Sequence, residues 1–309
     1  MRFIRLMAAL ASAVMLLMVY PSALSDNLPP LANDKELYTV QNVPVWGFVE
    51  QYDPDGDTVA INVVQEASKG MVTVYDATFV YRPFADEMGE DSFTVVATDS
   101  AGNLSRQATV TVQIEQNKMG DGFSDMRLHP SHYSALMLAQ NNIVSGERVG
   151  GALLFEPNRQ MTQTDFVLMV LAAVDTTNMQ VPCVSTDLPN DKDIALWLKP
   201  YLRTAKQMGV IGAGEFHADK PITRAEAVQL ISHASGMKNV EAQALHIRDL
   251  SEIPADTLQC YINLAANNML NLYDGYARPT EPLTRAAAAD LVWQLYRYQQ
   301  RQSAQESAE

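Results

Sequence analysis

An all-β sandwich followed by an all-α array of three repeats is the fold class that this 309-residue sequence predicts. Two observations carry that reading. Apolar residues alternate with period two as far as Gln116, and beyond Gly122 the chain repeats itself at intervals of 61 to 62 residues.

The alternation is clearest at its end. Phe93, Val95 and Ala97 alternate with Thr94, Val96 and Thr98, and Ala108, Val110, Val112 and Ile114 alternate with Thr109, Thr111 and Gln113. The turn-rich cluster Asp99-Ser100-Ala101-Gly102-Asn103 between them makes the pair a hairpin. Further strands are expected at Thr58–Val64, Met71–Tyr75 and Thr78–Tyr81, so residues 31–116 read as an antiparallel β-sandwich. Residues 117–122, polar and glycine-containing, read as a linker.

After the linker the spacing becomes helical. Asp125, Asp187 and Asp249 stand 62 apart, and Thr162, Thr223 and Thr284 stand 61 apart. The same apolar offsets follow each Thr: Phe166, Ala227, Ala288; then Val170, Ile231, Val292. Thr162 with Asp165 and Thr223 with Glu226 have the spacing of a capping box, whereas Thr284 faces Ala287 and keeps only the cap. An earlier helix in each unit carries Ala135/Leu138/Ile143, Leu202/Ala205/Val210 or Tyr261/Leu264/Met269. A glycine-containing loop, marked by Gly146, Gly212 or Gly275, joins the two helices. A helix–loop–helix unit cannot bury its own stripe, so three must close around a shared core. Their bounds are 123–178, 183–238 and 245–298, with a polar tail over 299–309.

The amino terminus sets the compartment. Arg2 and Arg5 precede an apolar run from Leu6 to Tyr20, then Ser22-Ala23-Leu24-Ser25, which is the pattern of a secretory signal peptide over residues 1–25. Cleavage after Ser25 leaves no membrane span and no sorting tail. It also leaves 20 basic against 36 acidic residues. Such acidity excludes nucleic acid as a partner, because phosphate binding needs a concentrated basic patch. Export makes a Cys183–Cys260 disulfide chemically accessible; two buried free thiols are the alternative.

Chemistry-bearing motifs are few. The five histidines are scattered, with no His-Glu-x-x-His or nucleophile-elbow motif, so no enzyme is expected. Asp53, Asp55, Asp57 and Asp99, with Asp34 behind them, gather hard oxygen donors on turns. That donor set suits calcium, although Asp also serves turns without any ion.

Two family resemblances are specific. Phe123-Ser124-Asp125, Ile143-Val144-Ser145-Gly146, Phe155-x-Pro157-Asn158, Ile222-Thr223-Arg224-Ala225-Glu226, Leu272-Tyr273-Asp274-Gly275 and Leu283-Thr284-Arg285-Ala286 resemble the S-layer homology repeat, over about 123–298. The resemblance implies a pseudo-trimer of helix–loop–helix prongs around a central bundle, held non-covalently on the cell wall. It also implies an anionic, often pyruvylated, secondary cell-wall polysaccharide bound in grooves between prongs, with Arg224 and Arg285 as contacts and Thr223, Glu226, Thr284, Gly212 and Gly275 around them. A guanidinium fork suits a carboxylate, and helix N-terminal amides favour an anion. An intramolecular ion pair is the competing role for each arginine. The first repeat has Gln163 in place of Arg, so at most two competent grooves are expected. Asp53-Pro54-Asp55-Gly56-Asp57, Gly89-Glu90-Asp91-Ser92-Phe93-Thr94 and Asp99-Ser100-Ala101-Gly102 resemble bacterial cadherin-like, Ig-type modules, which implies a spacer or an adhesive module with a surface-protein partner. The alternatives are a wall-located enzyme working in an inter-repeat groove and an array repurposed for protein docking.

Overall fold

Strand and helix periods both place apolar residues on one side, and each half of the chain buries that side in a core of its own. The computed structural model describes residues 27–306 apart from 50, 76–77, 121, 175–182, 242–244, 246, 271 and 273–274. The expected leader, and Tyr273 and Asp274 of the third loop, lie outside the described residues.

The β half has strands β1 (Leu31–Ala32), β2 (Lys35–Val40), β3 (Val45–Phe48), β4 (Gln51–Tyr52), β5 (Ala60–Gln65), β6 (Gly70–Tyr75), β7 (Thr78–Pro83), β8 (Gly89–Thr98) and β9 (Ala108–Glu115). One sheet runs β2-β9-β8-β5 and the other β3-β7-β6. The expected β8–β9 hairpin is present, but the sandwich is not wholly antiparallel. β2 lies parallel to β9, from Lys35 opposite Val110 to Val40 opposite Glu115. Two strands distant in sequence can align this way because a long connection passes through the other sheet. Phe79, Tyr81 and Phe93 fill the space between sheets, with Phe79 meeting Phe93 edge-on at 5.1 Å. Tyr81 donates its hydroxyl to the buried Asp91 carboxylate at 2.7 Å, and Asp91 also accepts from the amides of Ser68 and Lys69. Burial raises the Asp91 carboxyl, but these donors outweigh it and hold the group below its ordinary range.

The helical half has α1 (His132–Gln140), α2 (Gln163–Ala173), α3 (Lys199–Gln207), α4 (Arg224–Ser235), α5 (Leu258–Ala266) and α6 (Arg285–Glu306). The polar tail expected after residue 298 is instead mostly helix, since α6 continues to Glu306 through residues that propagate helices well. In the first repeat the loop folds into a hairpin, β10 (Glu147–Val149) and β11 (Ala152–Leu154), turned by Gly150 and Gly151 at φ +57° and +88°.

The three repeats end their first helices alike. Asn142, Gly209 and Asn268 take left-handed φ of 59°, 73° and 53°. The next amide then reaches back five residues: Ile143 to Leu138, Val210 to Ala205, Met269 to Leu264, at 2.8–2.9 Å. That is a Schellman closure, which satisfies a carbonyl the helix would leave orphaned.

The repeats also close on one another. Met161 donates to Leu283, Leu283 to Ile222 and Ile222 to Met161, at 2.8–3.0 Å. In sequence these residues follow one another at 61-residue intervals, so the period becomes a closed ring of backbone hydrogen bonds. Below the ring, Phe166, Ala227, Ala288, Val170, Ile231 and Val292 are fully buried or nearly so.

The connection between halves is held rather than free. Asn117 donates its amide nitrogen and Nδ2 to Gln41, and Nδ2 also reaches Gly120 at 2.7 Å. Val40 and Val43 join the helical core, and Tyr38 stacks on Tyr133 with ring centroids 6.3 Å apart.

Candidate functional site

Residues 163, 224 and 285 open the second helix of each repeat, and their backbone amides face the neighbouring repeat. Gln163 donates to Lys220, Arg224 to Glu281 and Arg285 to Arg159, at 2.8–2.9 Å. The next amides, of Thr164, Ala225 and Ala286, go to Ala218, Pro279 and Pro157. The third goes to the capping threonine, as in Glu226 to Thr223 Oγ1 at 3.2 Å. The expectation that free helix-terminal amides attract an anion is therefore corrected. They are used in joining the repeats, and only side chains remain for a ligand.

Those side chains differ. Arg224 donates from Nε to the Ala277 carbonyl at 2.8 Å and lines a pocket of about 220 Å³. Tyr261, Thr284, Asp290 and His129 also line it. The Tyr261 hydroxyl is buried without a hydrogen-bond partner among the described residues, and burial pushes its pKa up to about 12 although Arg224 opposes that. Asp290 accepts from Ser131 Oγ at 2.6 Å and is the single carboxylate in the lining among the described residues.

Arg285 stands at the equivalent place but is packed away. Its guanidinium lies 4.6 Å from the centre of the Phe155 ring and donates to the Ser145 carbonyl at 2.7 Å. Glu156 is 3.8 Å away, and only 14% of the side chain is exposed. Burial, then the neighbouring Arg159 charge, lower its pKa from the ordinary arginine value. Of the two arginines expected to grip, Arg224 alone lines an open pocket. Gln163 uses Oε1 to accept from the His217 amide at 3.2 Å and lines a groove of about 310 Å³ with Gly212 and Glu226.

The capping boxes resolve to one. Glu226 accepts from the Thr223 amide at 2.8 Å and from Lys220 Nζ at 2.8 Å, so it is committed to structure. Thr162 caps Asp165, but the Asp165 carboxylate lies 3.6 Å from Arg159 instead of closing a box, being one methylene shorter than Glu. Thr284 accepts from Ala287 at 3.3 Å. Gly275 takes φ +78°, a conformation that side chains rarely adopt, whereas Gly212 has no such requirement.

The 62-residue aspartate series also divides. Asp125 accepts from the amides of Phe155 and Glu156, and Asp249 from those of Ala277 and Arg278, all at 2.7–2.8 Å. Asp187 is exposed and does not take this role; Asn190 accepts from Phe216 instead.

In the β half, Asp53, Asp57 and Asp99 bring one carboxylate oxygen each within 4.8 Å of the others. Asp53 Oδ1 accepts from the amides of Asp55 and Asp57, while its Oδ2 is buried with no partner among the described residues. Burial raises the Asp99 carboxyl, but donors from Asn103 and Ala101 outweigh it and keep the group below its ordinary value. Asp55 instead accepts from the Leu28 amide at 2.7 Å, and Asp34 from the Thr109 amide at 2.9 Å. The expected cluster is thus three carboxylates. Their spacing fits a cation with oxygen ligands at about 2.3–2.6 Å, as calcium has.

Cys183 and Cys260 are both buried and free, so of the two readings left open the structure has the thiols. Cys183 Sγ donates to the Ser185 carbonyl at 2.6 Å and receives Arg203 Nη1 at 3.3 Å.

Residues 27–116 match the family described as the bacterial cadherin-like domain. This segment is a bacterial cadherin-like domain. The cadherin-like domain ends where the connection at Asn117 begins. No curated protein matches the chain. Similar solved structures include the endo-fucoidan hydrolase MfFcnA4 from glycoside hydrolase family 107, at 19% identity over 32% of this chain and 15% of that one, with a TM-score of 0.25. The SrpA adhesin from Streptococcus sanguinis is 15% identical over 30% of this chain and 60% of its own, at a TM-score of 0.23. The fibronectin(III)-like modules of Clostridium thermocellum CbhA are 17% identical over 30% and 50%, at 0.22. These likenesses are local, and this chain spans less than two thirds of each.

Proposed function

We propose that this is an exported surface protein whose helical repeats hold an anionic secondary cell-wall polysaccharide, in the manner of S-layer homology repeats, at the groove lined by Arg224. The cadherin-like domain then serves as a spacer or adhesive module. One observation supports this above others: three sequence-related repeats join in a closed hydrogen-bonded ring and leave an arginine-lined groove between neighbours. A guanidinium with one backbone contact retains donors for a carboxylate. Co-sedimentation of the exported chain with purified walls, before and after the secondary polymer is stripped, tests the reading. Binding should vanish on stripping and fall about tenfold in Arg224→Ala; binding that survives both overturns it.

Calcium at Asp53, Asp57 and Asp99 is the second part of the proposal, favoured by the unpartnered Asp53 Oδ2. Titration calorimetry should show one calcium bound at millimolar concentration or tighter, and none in Asp53→Asn.

A further inference from the structure

The junction between the two halves contains a second cleft, of about 500 Å³, in the size range of small-molecule sites. Both halves build it: Trp46 and Lys35 from the cadherin-like domain, Trp293, Arg297 and Arg301 from α6. Its acids and bases are not equally available. Among the acids, Asp34 accepts from Thr109 and Asp290 from Ser131. Among the donors, Trp46 Nε1 and Trp293 Nε1 are buried with no hydrogen-bond partner among the described residues, and Trp293 is only 6% exposed. Lys35 has no ion pair there and lies 4.8 Å from the centre of the Phe48 ring. Arg301 has neither a hydrogen bond nor an ion pair among the described residues, and as the residue four beyond Arg297 it shares that face of α6.

Arg297 lies over the Tyr38 ring at 4.0 Å, which leaves Lys35, Arg301 and the two indoles as donors for a ligand rich in acceptors. Aromatic walls beside cationic and indole donors add a demand for apolar faces between the oxygens. Sugar rings bearing carboxylates meet both demands. We propose that this junction cleft binds an acidic saccharide, which makes the cadherin-like domain part of the receptor and not only a spacer. Pro130, Leu270 and Asp290 line both this cleft and the Arg224 groove, so the two are neighbours along one surface. A single polymer running through both rests on the wall-binding reading; the chemistry of the cleft itself does not.

Of the three tryptophans, Trp46 and Trp293 line the cleft and Trp197 is exposed elsewhere, so in Trp197→Phe the fluorescence reports the cleft alone. The full exported chain carrying that change is titrated with oligogalacturonate, and with a maltooligosaccharide as the neutral control. The expected result is a saturable fluorescence change with the acidic sugar only, weakened about tenfold by Arg301→Glu and by Lys35→Glu. No change at millimolar oligogalacturonate, an equal response to the neutral sugar, or an unaltered Kd in both variants overturns the proposal. Wall co-sedimentation separates the two readings. Loss in Arg224→Ala with oligogalacturonate affinity unaltered by both charge reversals leaves the wall reading standing and sinks the cleft. The reverse pattern does the opposite.

Discussion

Arg224 and Arg285 occupy the same position of the same repeated motif, yet one lines an open pocket and the other is enclosed. The difference comes from the next repeat in the ring. Arg285 meets the first repeat, whose hairpin loop offers Phe155 and the Ser145 carbonyl; Arg224 meets the third, which among the described residues offers the Ala277 carbonyl. A motif specifies what a side chain is, and its neighbour specifies whether it is available. The same holds where the first helices begin. His132 and Lys199 stand ten residues before the equivalent left-handed residues Asn142 and Gly209, and both are buried. Lys199 pairs with Asp191 at 2.6 Å, whereas neither His132 ring nitrogen has a partner among the described residues.

The strongest way to break the Arg224–Arg285 contrast is to remove the ring beneath Arg285. Phe155 is fully buried and packs on Phe123 at 5.0 Å, so Phe155→Ala should cost about 3–5 kcal/mol in urea unfolding. Acid should separate the first two repeats next. Burial holds His132 at a pKa of about 4, below its ordinary 6.5. As pH falls through 6.5 the unfolded chain takes the proton first, so stability declines between about pH 6.5 and 4, by roughly 3 kcal/mol in total. His132→Leu should flatten that decline. The Lys199 pairing holds Asp191 at about 2, so the second repeat's pair should persist to much lower pH, as chemical-shift titration of Asp191 would record.

A smaller effect sharpens the arginine comparison itself. Arg285→Ala should lower stability by about 1–2 kcal/mol and leave wall binding intact, because the side chain is structural. Arg224→Ala should cost less than about 1 kcal/mol while weakening wall binding. Smallest of all, Ala287→Glu would complete the third capping box and raise stability by about 0.5 kcal/mol, measured by thermal unfolding.

The sequence revealed whatever depends on spacing. The 61-residue period foretold three equivalent units with one shared core, and alternation located the β8–β9 hairpin, because both are local rules applied repeatedly. It did not reveal which amides were already engaged, since the partner carbonyls at Glu281, Pro279 and Arg159 belong to segments 54 or more residues away. Asp187 kept the period and lost the role for a similar reason: Asn190 already serves the Phe216 loop. The Asp53–Asp57–Asp99 cluster was legible because turns gather aspartates. The exclusion of Asp55 and Asp34 was not, since each was claimed by a distant amide. Tyr261, Asp290 and the junction cleft carried no motif, and only packing between repeats and domains assembles them.

The parallel pairing of β2 with β9 has a mechanical consequence. β9 is the last strand of the cadherin-like domain and β2 is the first strand of the sheet that holds it, with six paired residues in register. Tension applied between Leu28 and Asn117 pulls them in opposite directions along their length. Such a load falls on the whole ladder at once and does not peel it rung by rung. A surface protein carried on its C-terminal repeats would thus meet an outward pull with the bonds of six residue pairs acting together.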